Sequence, residues 1–384
     1  MKRIYFDNGS TSFPKAPGVS DAVKGLLDNG AFNINRGGYD EAYQISEQVL
    51  ETRELLCRMF NFDKPKNAVF TPSITYSLNY LIKGYLKPGD HVITSSMEHN
   101  AVMRPLVQME KQGVAFDCAQ CEPTGALDPE RVEALIRPNT RAVVMMAASN
   151  VCGTFLPIKE VGEICRRKGI KFFVDSAQTA GTFPIDMKEM NIDALTFTGH
   201  KGLLGPQGVG GMLLSDEIAM NTEPVISGGT GSLSHQEEMP SFMPDRFEAG
   251  TMNLPGIIGL RAALLYNKEY GMDKIAAHEL DLAMAFLSGL GRVKGAHPVG
   301  MPGREGRAAI VSVDFKDDDN ARVAFELENA HGVMTRVGMH CAPRAHKTLG
   351  TFPEGTVRFS FGHANTMDEV EECLAALEQI CSGK

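Results

Sequence analysis

A chain of 384 residues is long enough for one large domain and a smaller one, each with its own apolar core. Its net charge of -9, with no basic block, argues against nucleic acid or an anionic membrane as a partner, and no apolar run is long enough to span a bilayer. Eight cysteines without framework spacing read as thiols of a reducing cytoplasm, and the opening Ile4-Tyr5-Phe6 meets Asp7 too soon for a signal-peptide core.

In chain order, Arg3 to Phe6 is a short extended piece whose polar tip, Asp7-Asn8-Gly9-Ser10, suits the edge of a site. Arg36, in an irregular connector, suits an anion or simply pairs with a carboxylate. The spacing of Ile45, Val49, Leu56 and Met59 predicts a helix over 40–59. Strand 68–70 runs into Thr71-Pro72-Ser73-Ile74-Thr75 and a helical pattern carrying Leu78, Leu81 and Ile82. The free N–H groups at such a helix start suit a phosphate, although any capped helix looks similar. Strand 91–94 leads to Met97-Glu98-His99-Asn100, then a helix over 102–112 and a strand over 114–116.

Cys118 and Cys121 have the spacing of a redox or zinc pair, but lack a second pair or a histidine nearby, so no metal site is expected. A helix over 129–136 precedes strand 142–146, which ends in Ser149-Asn150-Val151-Cys152-Gly153-Thr154. The helix carrying Ile158, Val161, Ile164 and Cys165 feeds strand 172–174, which ends in Asp175-Ser176-Ala177-Gln178. Strand 194–197 gives way to Thr198-Gly199-His200-Lys201-Gly202, a lysine set among glycines at a buried strand's end. Desolvation lowers an amine's pKa, which makes such a lysine a candidate for Schiff-base chemistry.

Further on, the glycine-rich run 226–232 lacks the lysine of a nucleotide P-loop, so no ATP site is expected. A helix over 256–270 joins the large domain to the small one. The remainder predicts strands over 308–315, 333–337 and 356–361, a helix over 321–330, and a last helix opened by the capping box Thr366-Met367-Asp368-Glu369. Apolar strands alternating with amphipathic helices predict an α/β fold with a mainly parallel sheet. The expected division is a large domain over 15–255 and a small α+β domain over 256–384, with residues 1–14 packing near the latter.

Ligands of such sheets bind beyond the carboxyl ends of the strands, and His99, Asn150, Asp175, Gln178 and Lys201 all follow strand ends. Their chemistry fits an aldehyde cofactor. Lys201 supplies the amine, and Asp175 keeps a ring nitrogen protonated so that the ring accepts electrons from a substrate's α-carbon. His99 suits stacking or proton transfer, and Asn150 and Gln178 suit a ring hydroxyl. Thr75, Thr198, His200 and the backbone at Ile74 suit a phosphate. Together these describe pyridoxal 5'-phosphate.

Thr198-Gly199-His200-Lys201, Val174-Asp175-Ser176-Ala177-Gln178, Ser149 to Thr154 and Met97 to Asn100, in this order, resemble the class V aminotransferase family. The similarity runs from Phe6-Asp7-Asn8 to Arg358-Phe359-Ser360 and is nearest to the cysteine desulfurase and selenocysteine lyase branch. The resemblance implies the aspartate-aminotransferase fold and a homodimer with sites at the subunit interface, in which Thr251 of one subunit reaches the other's phosphate. It also implies that Arg358 binds the substrate carboxylate, with Arg336 nearby, and that Cys341 is the nucleophile. Taken without its motif, Cys341 reads as a buried structural thiol. Cys341 and Arg358 stand 17 positions apart (358 − 341), which resembles the group whose cysteine sits on a short, ordered loop.

Two residues depart from the pattern. Met339 stands where better-known members carry a second histidine, and Arg344 places an extra charge that favours a thiolate at Cys341 if it lies close, or else belongs to a different pocket.

The resemblance thus implies desulfuration of L-cysteine to alanine, with sulfur held as a persulfide on Cys341 and passed to a protein acceptor. L-selenocysteine as substrate, transamination or epimerisation by the same cofactor, and a non-catalytic sulfur-relay or scaffold role are the alternatives.

Overall fold

The computed structural model describes residues 2–34 and 37–382; Arg36 lies outside the described residues. Thirteen strands lie along the described chain: β1 (Ile4–Tyr5), β2 (Ala68–Thr71), β3 (His91–Ser95), β4 (Ala115–Ala119), β5 (Thr140–Met146), β6 (Lys171–Asp175), β7 (Ala194–Thr198), β8 (Gly210–Leu214), β9 (Ala296–Val299), β10 (Ile310–Phe315), β11 (Val333–Met334), β12 (Arg336–Gly338) and β13 (Thr356–Ser360).

Seven of them form one sheet in the order β2-β8-β7-β6-β5-β3-β4. Strands β7, β6, β5, β3 and β4 run parallel, while β8 runs antiparallel to both of its neighbours. Strands β5 to β8 are buried almost throughout, which is why they read as continuous apolar runs. Large apolar clusters cover the sheet, one including Phe172, Val174, Leu195 and Leu260, the other Val92, Val144, Phe173 and Met212.

Sequence patterning does not anticipate β8, because it opens on Gly210 and Gly211. Packing explains them: a Cβ on Gly210 would lie 2.7 Å from the Phe197 carbonyl oxygen, and one on Gly211 2.4 Å from that of Val69. The helices Val19–Asp28, Met272–Gly289 and Pro343–Leu349, and strand β9, are likewise absent from the sequence reading.

A second, antiparallel sheet has the order β12-β13-β10-β9 and backs onto a separate cluster with Phe286, Val311, Phe359, Leu374 and Leu377. The expected single strand over 333–337 is two strands broken at Thr335. β11 pairs with β1, whereas β12 pairs with β13. Pairing β1 with β11 brings Ile4 and Phe6 into this second core, where both are buried. The capping box forms: Thr366 N–H donates to Glu369 Oε2 at 3.1 Å, and Glu369 N–H to Thr366 Oγ1 at 3.3 Å. Its helix, Met367–Ser382, buries Val370, Cys373, Leu374, Leu377, Ile380 and Cys381 along one stripe. Each of the larger apolar side chains there contributes about 1.5–3 kcal/mol.

Candidate active site

Four adjacent strands place the expected residues side by side. Lys201 follows β7, Asp175 ends β6, Asn150 follows β5 and His99 follows β3, in the order in which those strands lie in the sheet. Asp175 pairs in register with Met146 on one side and Thr196 on the other. All four residues therefore stand at the carboxyl edge.

Burial pushes the Lys201 amine down to about 8, with the Arg358 charge acting in the same direction and Asp175 opposing both. An amine so shifted is a ready nucleophile near neutral pH. Asp175 is buried, with 4% of its surface exposed, and accepts Ala177 N–H at 2.8 Å; burial raises its carboxyl pKa, while that bond and the Lys201 charge lower it. His99 caps the helix Asn100–Glu110, its Nδ1 accepting Ala101 N–H at 3.0 Å. That bond places any ring proton of the neutral form on Nε2. Burial first, then the charges of Lys201 and Arg336, push His99 down to about 4. It is a neutral ring, suited to stacking.

Among the buried polar atoms without partners are Asn150 Oδ1, Thr198 Oγ1, His200 Nδ1 and Arg358 Nε. Orphaned groups of this kind are costly unless a ligand completes them. Ser73 makes no side-chain cap on the helix Ile74–Asn79, so the N–H groups at Ile74 and Thr75 have no side-chain acceptor there. The donor set thus fits a ring flanked by Asp175 and His99, an aldehyde at Lys201, and a phosphate near Ile74, Thr75, Thr198 and His200. Gln178 donates its Nε2–H to Gly9 O at 3.0 Å, which ties the site to the N-terminal turn. Thr251 is exposed and lines a hollow with Thr71, Pro72 and Tyr76.

On the opposite wall, Arg336 and Arg358 are direct cross-strand partners on β12 and β13. Like charges placed so oppose one another, and an anion between them relieves the repulsion. Arg358 is buried; it donates to Asn150 O at 2.9 Å, Asp7 Oδ1 at 2.8 Å and Ser10 Oγ at 2.7 Å. Arg336 is exposed and donates to the same Ser10 Oγ at 2.8 Å.

Cys341 is exposed, between β12 and the helix Pro343–Leu349. His340 and Cys341 have φ of 46° and 58°, a strained conformation for residues with side chains. Two bonds hold them there: Asn150 Nδ2–H donates to His340 O at 2.7 Å, and Asn100 N–H to Cys341 O at 2.8 Å. The cysteine loop is thus pinned to the loops after β5 and β3. Burial and the nearby arginines push His340 down to about 2, so its ring is neutral, with Nε2 facing Thr356 Oγ1 at 3.1 Å. Arg344 donates to Cys118 Sγ at 3.2 Å.

Two features escaped the sequence. The Asp7 and Ser10 contacts to Arg358 depend on pairing across the whole chain, and only the polar tip of the first strand hinted at them. Glu98 is entirely buried and accepts from Ser95 Oγ at 2.5 Å and Met146 N at 3.1 Å; burial pushes it up to about 8. Its place just before His99 carried no signal of that burial.

The Aminotransferase class-V family model matches residues 4–373. A probable cysteine desulfurase of Pyrococcus abyssi is 32% identical over 384 residues, covering 98% of this chain and 94% of its own. One from Methanothermobacter thermautotrophicus is 30% identical over 381 residues, with the same two coverages of 98% and 94%. Among solved structures, the apo cysteine desulfurase of Thermococcus onnurineus NA1 superposes with a TM-score of 0.93 at 31% identity, over 100% of this chain and 95% of that one. The cysteine desulfurase CsdA of Escherichia coli gives 0.88 at 26% identity, over 98% and 94%.

Proposed function

The chain belongs to the class-V aminotransferase family, whose members depend on pyridoxal phosphate, and from that premise we propose that it is a cysteine desulfurase converting L-cysteine to L-alanine. The observation that carries this reading is the exposed Cys341, held on a strained loop that is tied to the strand-end loops carrying His99 and Asn150.

In this reading Lys201 would hold the cofactor through its amine, Asp175 would serve its ring nitrogen, His99 its ring face, and Asn150 and Gln178 its hydroxyl. Ile74, Thr75, Thr198 and His200 would hold the phosphate. Bound there, pyridoxal phosphate supplies an electron sink that acidifies the substrate's α-proton. Arg358, with Arg336 beside it, orients the substrate carboxylate, and its unpartnered Nε supplies a donor. Lys201 Nζ would be the base that takes the α-proton. Cys341 Sγ, as thiolate, attacks the substrate sulfur: the S–S bond forms, the Cβ–S bond breaks with its electron pair left on carbon, and alanine results when that carbon takes a proton and Lys201 Nζ returns the α-proton to the α-carbon. The sulfur remains on Cys341 as a persulfide.

The working unit of this proposal is a homodimer, in which the exposed Thr251 of one subunit would reach the other's phosphate. We divide the chain functionally at 15–255 and 256–384, with residues 1–14 joined to the second unit, as the shared apolar cluster of Ile4, Phe6 and Phe359 suggests. The helix Leu254–Tyr270 packs Leu254, Leu260 and Leu264 into the large core. Eight free cysteines support a reducing cytoplasm. Separately, among the described residues no helix is long and apolar enough to cross a membrane.

The test is alanine formation from L-cysteine by the wild type and by Cys341→Ala. Loss of at least about a hundredfold is expected; an unchanged rate would remove Cys341 from the chemistry.

A further inference from the structure

The carbonyl oxygen of His200, on the peptide that leads into Lys201, accepts four hydrogen bonds. Ser12 N–H donates to it at 2.8 Å, Thr11 Oγ1 at 3.1 Å, Ser12 Oγ at 3.2 Å and Lys15 Nζ at 3.1 Å. A carbonyl has two lone pairs, so this one is saturated twice over. All four donors come from the N-terminal segment, which also supplies Asp7 and Ser10 to Arg358 and Gly9 O to Gln178.

Lys15 is the donor that needs explaining. Its three ammonium hydrogens meet three neutral acceptors, Thr11 Oγ1 at 3.1 Å, Ser12 Oγ at 3.2 Å and His200 O, and each hydroxyl in turn donates to His200 O. Among the described residues no carboxylate pairs with it, and burial pushes its amine down to about 8. Lys171, also half-buried, instead meets Asp193 and Glu217. A cation drawn out of water without a counter-charge is costly to keep.

The turn it grips supplies a reason for that cost. Leu204 N–H closes the turn on Lys201 O at 2.7 Å, and Leu204 has a φ of 61°, a strained left-handed conformation for a residue with a side chain. Ala16 N–H, next to Lys15, holds Leu204 O at 3.0 Å. The turn that carries Lys201 is therefore held from outside at both ends, at His200 O and at Leu204 O, by residues 11–16. These bonds fix the backbone from which the Lys201 side chain enters the site, and burial is the first cause of its lowered pKa.

We propose that Lys15 is a positioning residue for Lys201: its ammonium locks the His200 carbonyl to Thr11 and Ser12, and so holds the turn that keeps the Lys201 amine buried. The proposal rests on the desulfurase reading only for what Lys201 then does. Because the same segment holds Arg358 through Asp7 and Ser10, the lysine and the arginine of the opposite wall are set by one piece of chain.

Lys15→Met and Lys15→Arg test this in the full-length protein. In Lys15→Met the Ser12 and Leu204 amides, read by hydrogen exchange, should exchange about tenfold faster, the worth of one bond to a charged group. Competitive acylation of the cofactor-free chain should find the Lys201 midpoint raised from about 8 toward its ordinary 10.5. Alanine formation should fall about tenfold. Lys15→Arg keeps a cation and should restore much of all three. Thr11→Val keeps the shape and removes one of the three acceptors; it should quicken the same amides about threefold and raise the same midpoint, which decides the matter if Lys15→Met does not fold. An unmoved Lys201 midpoint would overturn the proposal and leave Lys15 a fastener of the N-terminal segment alone. Exchange at Leu204 that stays at the wild-type rate would overturn it too, as would changes in Lys15→Arg as large as those in Lys15→Met. Should the wild type form no alanine from L-cysteine, the desulfurase reading fails, while exchange and acylation still decide the role of Lys15.

Discussion

Asp7 and Arg358, separated by 351 positions, meet through a carboxylate–guanidinium contact of 2.8 Å in which the arginine side chain is only 3% exposed. The pair fixes one face of the guanidinium, so the other is presented at a set angle. Removing Asp7 leaves a buried cation with only neutral acceptors. Asp7→Ala is expected to cost about 3 kcal/mol of stability, seen as a lower urea midpoint with an unchanged slope. Arg358→Lys, which keeps the charge and loses the fork, should lower kcat/KM for L-cysteine by about a hundredfold.

Lys201 gives a pH dependence with a definite sign. In the unfolded chain its amine holds a proton up to its ordinary value of 10.5, whereas in the fold it releases the proton near 8. Between those values the unfolded state binds more protons, so this residue's contribution makes stability rise with pH across that window. Urea denaturation of cofactor-free protein should show that rise, and Lys201→Met should flatten it. Competitive acylation should give Lys201 a midpoint near 8, well below the exposed lysines.

In the proposed function, loss of the carboxylate at Asp175 would remove the partner that keeps the cofactor ring protonated. Asp175→Asn is expected to slow alanine formation by about a hundredfold, the scale of one hydrogen bond to a charged group. Cofactor affinity should weaken as well, measured by equilibrium dialysis. Asp175→Glu should recover part of both.

The strained cysteine loop depends on Asn150. In Asn150→Asp the shape remains but the donor to His340 O is lost. Hydrogen exchange over 340–342 should quicken, and sulfur transfer should fall by about tenfold, the worth of one such bond. Unchanged exchange would show that Asn100 alone holds the loop.

Much of this was legible before folding. Strands 91–94, 142–146, 172–174 and 194–197 announce themselves because each must be buried on both faces. The polar residues at their ends, His99, Asn150, Asp175 and Lys201, follow from the rule that parallel sheets bind ligands at one edge. The capping box at Thr366 is visible for the same reason: its hydrogen bonds join residues three apart. The sequence alone therefore determined the α/β class, the strand-end cluster and the cofactor it suits. Tertiary structure decided what depends on distant partners. β8 hides behind glycines that only its neighbours' closeness requires, and the strand expected over 333–337 breaks because its halves pair with different strands. Asp7 reaches Arg358 through β1, Arg344 turns to Cys118, and Arg336 faces Arg358 by register. Periodicity records which face of an element is buried. It does not record which distant element covers that face, and the orientation of every charged side chain at the site hangs on that choice.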